Sequence, residues 1–235
     1  MAAAARCLPL LALLLLLPSG SIGGQEPVAA EKWADEMRAF EQADGATPPR
    51  SGGVLFVGSS SIRLWDLERA FPGCGFVNRG FGGSTLADSI RWFDRVIRPH
   101  APALIVVYAG DNDIANGLTP AETAADFARL VALTHRHVPD ARIVYLTIKP
   151  SVARWSMIDR QREANRRIEG LCAADERLRY LDVGACLLSD EGRPDPSFFV
   201  EDGLHLSDRG YALWNERVRE VIRELDASRL RSETR

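Results

Sequence analysis

At 235 residues, 46% of them hydrophobic and 26% charged, the chain has the composition of an ordinary globular protein with enough apolar material for a large core. Its formal net charge of −3 supplies no basic field, which argues against nucleic acid or an anionic membrane surface as a partner. Lys32 and Lys149 are its only lysines; with so many arginines and alanines, this reads as base composition rather than function.

The first 24 residues read as a cleavable secretory signal, which implies a secreted or periplasmic protein with no stable membrane insertion after cleavage. Arg6 closes a short basic region, an apolar run follows over 8–17, and small residues fill 18–24. The run is shorter than the roughly 20 residues that span a bilayer. An uncleaved anchor is the alternative. Export permits disulfides, and three cysteines would remain: Cys74, Cys172 and Cys186. Cys172 with Cys186 is the pair to consider; three buried, reduced thiols is the other reading. No Cys-x-x-Cys or clustered His/Cys spacing calls for a structural metal.

Residues 25–50 read as an N-terminal helix and linker. Trp33, Met37 and Phe40 have helical spacing, and the Asp-Gly-Ala-Thr-Pro-Pro stretch at 44–49 breaks it. From residue 51 to 228, strands alternate with helices. The strands fall at 54–57, 76–78, 104–108, 143–148 and 180–183, all short and apolar on both faces. Helices fall at 61–70, 85–98, 120–137, 157–175 and 208–225, and Thr119, Pro120 and Glu122 compose a helix start. Residues 229–235 read as a polar tail. Five strands in this alternation predict a doubly wound, three-layer α/β domain on a parallel sheet. Ligands of such sheets bind beyond the carboxyl ends of the strands.

Four segments at strand ends or in the last loop carry the chemistry. Gly58-Ser59-Ser60-Ser61 ends the first strand and puts hydroxyls where a helix's free N–H groups favour negative charge; an N-cap serine is the competing use. Asn78-Arg79-Gly80-Phe81-Gly82-Gly83-Ser84 lets backbone N–H groups point into a cleft, or serves as a plain turn. Gly110-Asp111-Asn112-Asp113 offers an amide donor for an oxyanion, or ordinary turn chemistry. Asp202-Gly203-Leu204-His205 can fold a carboxylate back onto an imidazole, leaving the other ring nitrogen for a serine proton. His100, His135 and His137 lie near helix ends, where they complement the dipole.

In these four ordered blocks, over about residues 53–215, the chain resembles the SGNH (GDSL-type) hydrolases. The resemblance implies a flavodoxin-like domain with a five-stranded parallel sheet. It implies Ser60 as nucleophile, with Ser61 the alternative, and Asp202 and His205 as its partners. The implied oxyanion hole is the Ser60 N–H, the Gly83 N–H with Gly82 next, and the Asn112 amide. Ser59 departs from the pattern, since the family usually has Asp there, and it leaves room for a binding-only protein. No cofactor or metal is implied. The expected activity is a secreted serine esterase acting on a short acyl group, such as acetyl, carried by a polar or carbohydrate alcohol. A lysophospholipase or thioesterase is the alternative, as is a non-catalytic glycan-binding protein. Arg154 and Trp155 follow the fourth strand and are candidates to bind an anion and a sugar face; a surface arginine and a packed tryptophan is the plainer reading.

Overall fold

The computed structural model describes residues 32–233, so the expected signal segment lies outside the described residues. The first helix, α1 (Ala34–Ala46), runs through Asp44 and Gly45, which were expected to break it. The stop comes one residue later, where Thr47 precedes Pro48 and adopts extended backbone. Strand β1 (Val54–Gly58) then leads into α2 (Ser60–Arg63) and α3 (Leu67–Ala70). A single helix was expected here. Asp66 divides it, because its carboxylate caps the second piece by accepting the Arg69 N–H at 3.0 Å.

Strand β2 (Val77–Gly80) is followed by α4 (Leu86–Arg91), α5 (Phe93–Val96) and a 3₁₀ turn at Arg98–His100, where the sequence predicted one helix. After β3 (Leu104–Tyr108) comes α6 (Asp111–Ala115), a short helix that the sequence presented as a turn. The long α7 (Pro120–His137) has the expected bounds, with Thr119 and Glu122 capping each other. Strand β4 (Arg142–Leu146) ends two residues early, because the Asn165 side chain takes the Ile148 N–H at 2.9 Å in place of a neighbouring strand. Helix α8 (Ile158–Ala173) precedes β5 (Leu178–Leu181), which starts earlier than expected. The last helix, α9 (Asp208–Glu233), continues through most of the expected tail.

All four strand pairings are parallel, in the order β2-β1-β3-β4-β5. Successive side chains alternate between two cores, as strand geometry requires. Leu55, Val57, Ile105, Val107, Ile143 and Tyr145 pack with residues of α1, α4, α5, α7 and α8. Phe56, Val106, Tyr108, Val144 and Leu146 pack on the other face with residues of α2, α3 and α9. The chain direction across the sheet reverses between β1 and β3, which opens a crevice at their carboxyl ends.

Of the two cysteine readings, the reduced one agrees with the structure except in burial, and the Cys172–Cys186 pair does not form. Cys74, Cys172 and Cys186 are all free, and Cys172 and Cys186 belong to cores on opposite faces of the sheet. Cys74 is exposed rather than buried.

Candidate active site

Gly58 is the pivot of the site. Its φ of +141° suits glycine, and a Cβ there would lie 1.9 Å from the Tyr108 carbonyl oxygen. This close approach lets the Ser59 N–H donate to that same oxygen at 3.1 Å, so the chain turns out of the sheet directly into α2. Ser59 and Ser61 are buried, while Ser60 at the first helical position is partly accessible. The three adjacent serines are thus separated by geometry.

His205 reaches Ser60 from 145 residues away because α9 docks on the α2–α3 segment. Tyr211 Oη donates to the Ser61 carbonyl at 2.9 Å, and Trp65 Nε1 donates to Asn215 Oδ1 at 2.8 Å. The buried Trp214 donates Nε1 to the Val183 carbonyl at 2.9 Å, fixing α9 to the chain beyond β5. The loop ahead of α9 closes as a small antiparallel bridge between Phe199 and Leu206, with the Val200 N–H donating to the His205 carbonyl.

Within that loop, Asp202 Oδ1 accepts the N–H groups of Leu204 and His205 at 2.8 and 2.9 Å. Its Oδ2 stands 2.5 Å from His205 Nδ1. Burial pushes this carboxyl up, but the hydrogen bonds from the His205 ring, the His205 N–H and the Leu204 N–H prevail and hold it at about 2. An ionised carboxylate can only accept, so the proton between them sits on Nδ1. Nε2 then carries the lone pair, and it lies 2.9 Å from Ser60 Oγ.

On the other side of Ser60, Asn78 braces β2 against α2, donating Nδ2 to the Ile62 and Trp65 carbonyls and accepting the Gly80 N–H. The glycine turn that follows ends at Ser84, whose Oγ donates to the Gly58 carbonyl at 3.2 Å. Among the described residues, neither the Ser60 N–H nor the Gly83 N–H has a protein acceptor. Asn112 joins this turn from α6, donating Nδ2 to the Ser84 carbonyl at 2.9 Å. Gly110, at φ +108°, starts α6. Asp113 anchors it, because its two carboxylate oxygens take the Leu86 and Gly110 N–H groups. Burial raises this carboxyl to about 6, against the pull of those N–H groups.

Arg154, a candidate substrate contact in the sequence, faces inward to the protein. Its guanidinium lies 2.8 Å from Asp111 Oδ1 and donates to Asn112 Oδ1 at 3.0 Å. The Trp155 ring is half-buried with the Arg193 guanidinium over it at 4.6 Å, closer to the packed reading than to an open sugar platform. Behind them is a group that sequence reasoning missed. Lys149 is 1% exposed, with Nζ 3.8 Å from Asp111 Oδ2 and donating to Tyr108 Oη at 3.3 Å. Burial lowers the Lys149 ammonium and the Asp111 charge opposes that shift. One signal was available, since Lys149 is one of only two lysines and follows β4.

The remaining histidines stand apart from the site. His135 Nε2 donates to the Ala141 carbonyl at 3.0 Å, and burial lowers the ring against the pull of that hydrogen bond. His100 is buried near Asp44, and burial likewise lowers it. Beside His205 opens a groove of about 490 Å³ whose walls include Leu64, Trp65, Asp66, Val200, Tyr211 and Asn215. Among the described residues no helix is long and apolar enough to cross a membrane.

A family model for GDSL-like lipases and acylhydrolases matches residues 63–213, a span that holds Asn112, Asp202 and His205 and begins just after Ser60. A search of curated proteins returns no match. Among solved structures, the chain is similar to a candidate acylhydrolase from Bacteroides fragilis, at 22% identity and a TM-score of 0.70, covering 83% of this chain and 99% of that one. It is also similar to a GDSL-like lipase from Bacteroides thetaiotaomicron, at 18% identity and a TM-score of 0.69, covering 80% and 98%. A catalytic mutant of an acetylxylan esterase from Geobacillus stearothermophilus matches at 16% identity and a TM-score of 0.58, covering 72% and 93%. At such identities the structural likeness shows the fold, while the family match extends over more than half of the chain. The chain belongs to the GDSL-like lipase/acylhydrolase family and is a serine ester hydrolase on a parallel α/β sheet.

Proposed function

We propose that this hydrolase works through an acyl-enzyme on Ser60 and releases a short acyl group, such as acetyl, from a polar or carbohydrate alcohol outside the cytoplasm. The observation that carries the reading is the continuous relay from Ser60 Oγ through His205 to Asp202, at 2.9 and 2.5 Å. His205 Nε2 takes the Ser60 proton as Oγ attacks the ester carbonyl, and Asp202 stabilises the imidazolium. The Ser60 N–H, the Gly83 N–H and the second N–H of Asn112 Nδ2 receive the oxyanion. When the tetrahedral intermediate collapses, the ester C–O bond breaks and the imidazolium protonates the departing alkoxide. Water, deprotonated by the same imidazole, then hydrolyses the acyl-enzyme and restores Ser60. None of these steps calls on a cofactor.

The groove beside His205 is where the departing alcohol would sit, because that ring nitrogen delivers its proton. The partly accessible Tyr211, with Asp66 and Asn215, offers the aromatic and polar groups that suit a sugar alcohol. The acetylxylan esterase among the structural relatives supports this choice of substrate. Leu64 and Val200 on the same groove are 44% and 47% exposed, which favours an apolar alcohol or acyl chain as the second reading. A chain-length series of nitrophenyl esters, followed by acetylated oligosaccharides, separates them. Turnover confined to acetate and acetylated sugars supports the first reading, and increasing kcat/KM with chain length supports the second. Ser60→Ala and His205→Ala should each lower kcat by at least about 10³-fold, and non-additively in combination. Full activity in Ser60→Ala, or absence of Ser60-dependent labelling by an active-site phosphonate, would overturn the assignment.

A further inference from the structure

The Asn112 amide lies between two partners that can each play one part only. A guanidinium can only donate, and Arg154 Nη2 donates to Asn112 Oδ1 at 3.0 Å. A carbonyl can only accept, and that of Ser84 takes Asn112 Nδ2 at 2.9 Å. Turned by half a rotation, the amide would set N–H against N–H and oxygen against oxygen. One orientation survives, with Nδ2 toward the turn that holds Gly83.

Arg154 is itself clamped. Its Nη1 lies 2.8 Å from Asp111 Oδ1, which also accepts Gln161 Nε2 at 3.1 Å, while Lys149 Nζ stands 3.8 Å from the other oxygen. The side chains of Arg154, Asp111 and Lys149 are 19%, 5% and 1% exposed. Holding three charges in so dry a region carries a desolvation cost that a surface arginine would not incur. Both Nη atoms are engaged with protein, so the fork that a bidentate grip on an anionic ligand requires is already in use.

We propose that Arg154 is a positioning residue for the oxyanion donor: it holds Asn112 in its one productive orientation and polarises the amide through its oxygen. This rests on the reading above, in which Asn112 Nδ2 stabilises the tetrahedral intermediate. A positive charge on the amide oxygen draws electron density from nitrogen and strengthens the remaining N–H as a donor, the cooperative effect of linked hydrogen bonds. That gain grows as the substrate carbonyl becomes an oxyanion, so it belongs to kcat rather than KM.

The test is a double-mutant cycle on 4-nitrophenyl acetate with Arg154→Lys, Asn112→Ala and the pair. Lysine keeps a cation for Asp111 but is a point charge without the fork that reaches both partners. Arg154→Lys should lower kcat about 10- to 100-fold with KM changed less than about threefold, and should cost less than about threefold once Asn112 is alanine. Millimolar guanidinium should restore part of the kcat of Arg154→Ala and none in Arg154→Ala/Asn112→Ala. A merely structural arginine would give equal losses in both backgrounds. Additive losses, or a raised KM with kcat intact, would overturn the proposal. So would an impaired Asn112→Ala beside a fully active Arg154→Lys, leaving the oxyanion reading in place. A fully active Asn112→Ala would overturn that reading and this one together.

Discussion

Replacing Gly58 by alanine probes how the first strand delivers its serine. The new Cβ would stand 1.9 Å from the Tyr108 carbonyl oxygen and 2.7 Å from its carbon, where side-chain carbons keep at least 3.0 Å. Relief requires a shift of about 1.1 Å between the carboxyl ends of β1 and β3, the difference between 3.0 and 1.9 Å. The backbone at φ +141° adds about 1–3 kcal/mol for a residue with a Cβ. The hydrogen bond from the Ser59 N–H to Tyr108, at risk in the same shift, is worth about 1 kcal/mol. Together these predict about 2–4 kcal/mol of destabilisation, measured by urea unfolding. The serine follows two residues later, and its 2.9 Å contact with His205 does not survive a displacement near 1 Å. A misplacement of that size corresponds to about 10²-fold in kcat. A variant within about 0.5 kcal/mol of wild type and retaining kcat would show that the turn tolerates a Cβ, and this account of the pivot would be wrong.

Ser59→Ala should keep kcat within about threefold, because the Ser59 side chain is buried and makes no capping bond at the start of α2. A loss of 10²-fold or more would instead place Ser59 in the machinery. Folding raises the Asp113 carboxyl from 3.8 to about 6, so its contribution to stability is fully present below pH 3.8 and is lost as pH rises through about 6. The full shift amounts to about 3 kcal/mol, and the advantage of wild type over Asp113→Asn in urea unfolding should be about 2 kcal/mol larger at pH 4.5 than at pH 7. A pH-independent gap would remove Asp113 as the source. Iodoacetamide should modify Cys74 in the native protein and reach Cys172 and Cys186 only after unfolding, as peptide mapping reads. Burial raises both of those thiols, Cys172 to about 12, so rapid native labelling of Cys172 would contradict its packing.

Much of the architecture was legible because it depends on local pattern. The apolar runs at 54–57 and 104–108 are strands in the structure, and Thr119, Pro120 and Glu122 start α7 where the capping rules put them. Three of the boundaries that moved involve a side chain in place of a backbone partner. Asp66 cut a helix in two, Asn165 ended β4, and Asp113 turned an apparent loop into α6. The Asp66 and Asp113 bonds reach only three residues and the Asn165 bond seventeen, but all three are made by polar side chains, so hydrophobic periodicity does not record them.

The site divides along the same line. Ser60, Gly83, Asn112, Asp202 and His205 could be nominated from sequence, because their motifs are short and fall at strand ends and in the last loop. The family resemblance already implied Ser60, and burial with the His205 contact, which the docking of α9 creates across 145 residues, sets it apart from Ser59 and Ser61. The inward turn of Arg154 could not be read from its neighbours in the chain. Its partners Asp111 and Asn112 lie on α6, and only the packing of α6 against the segment after β4 brings the three together. Short motifs together with the family resemblance therefore nominated the candidate groups, while tertiary packing decided which serine meets the imidazole and which cation holds the amide, since those contacts exist only once distant elements close on one another.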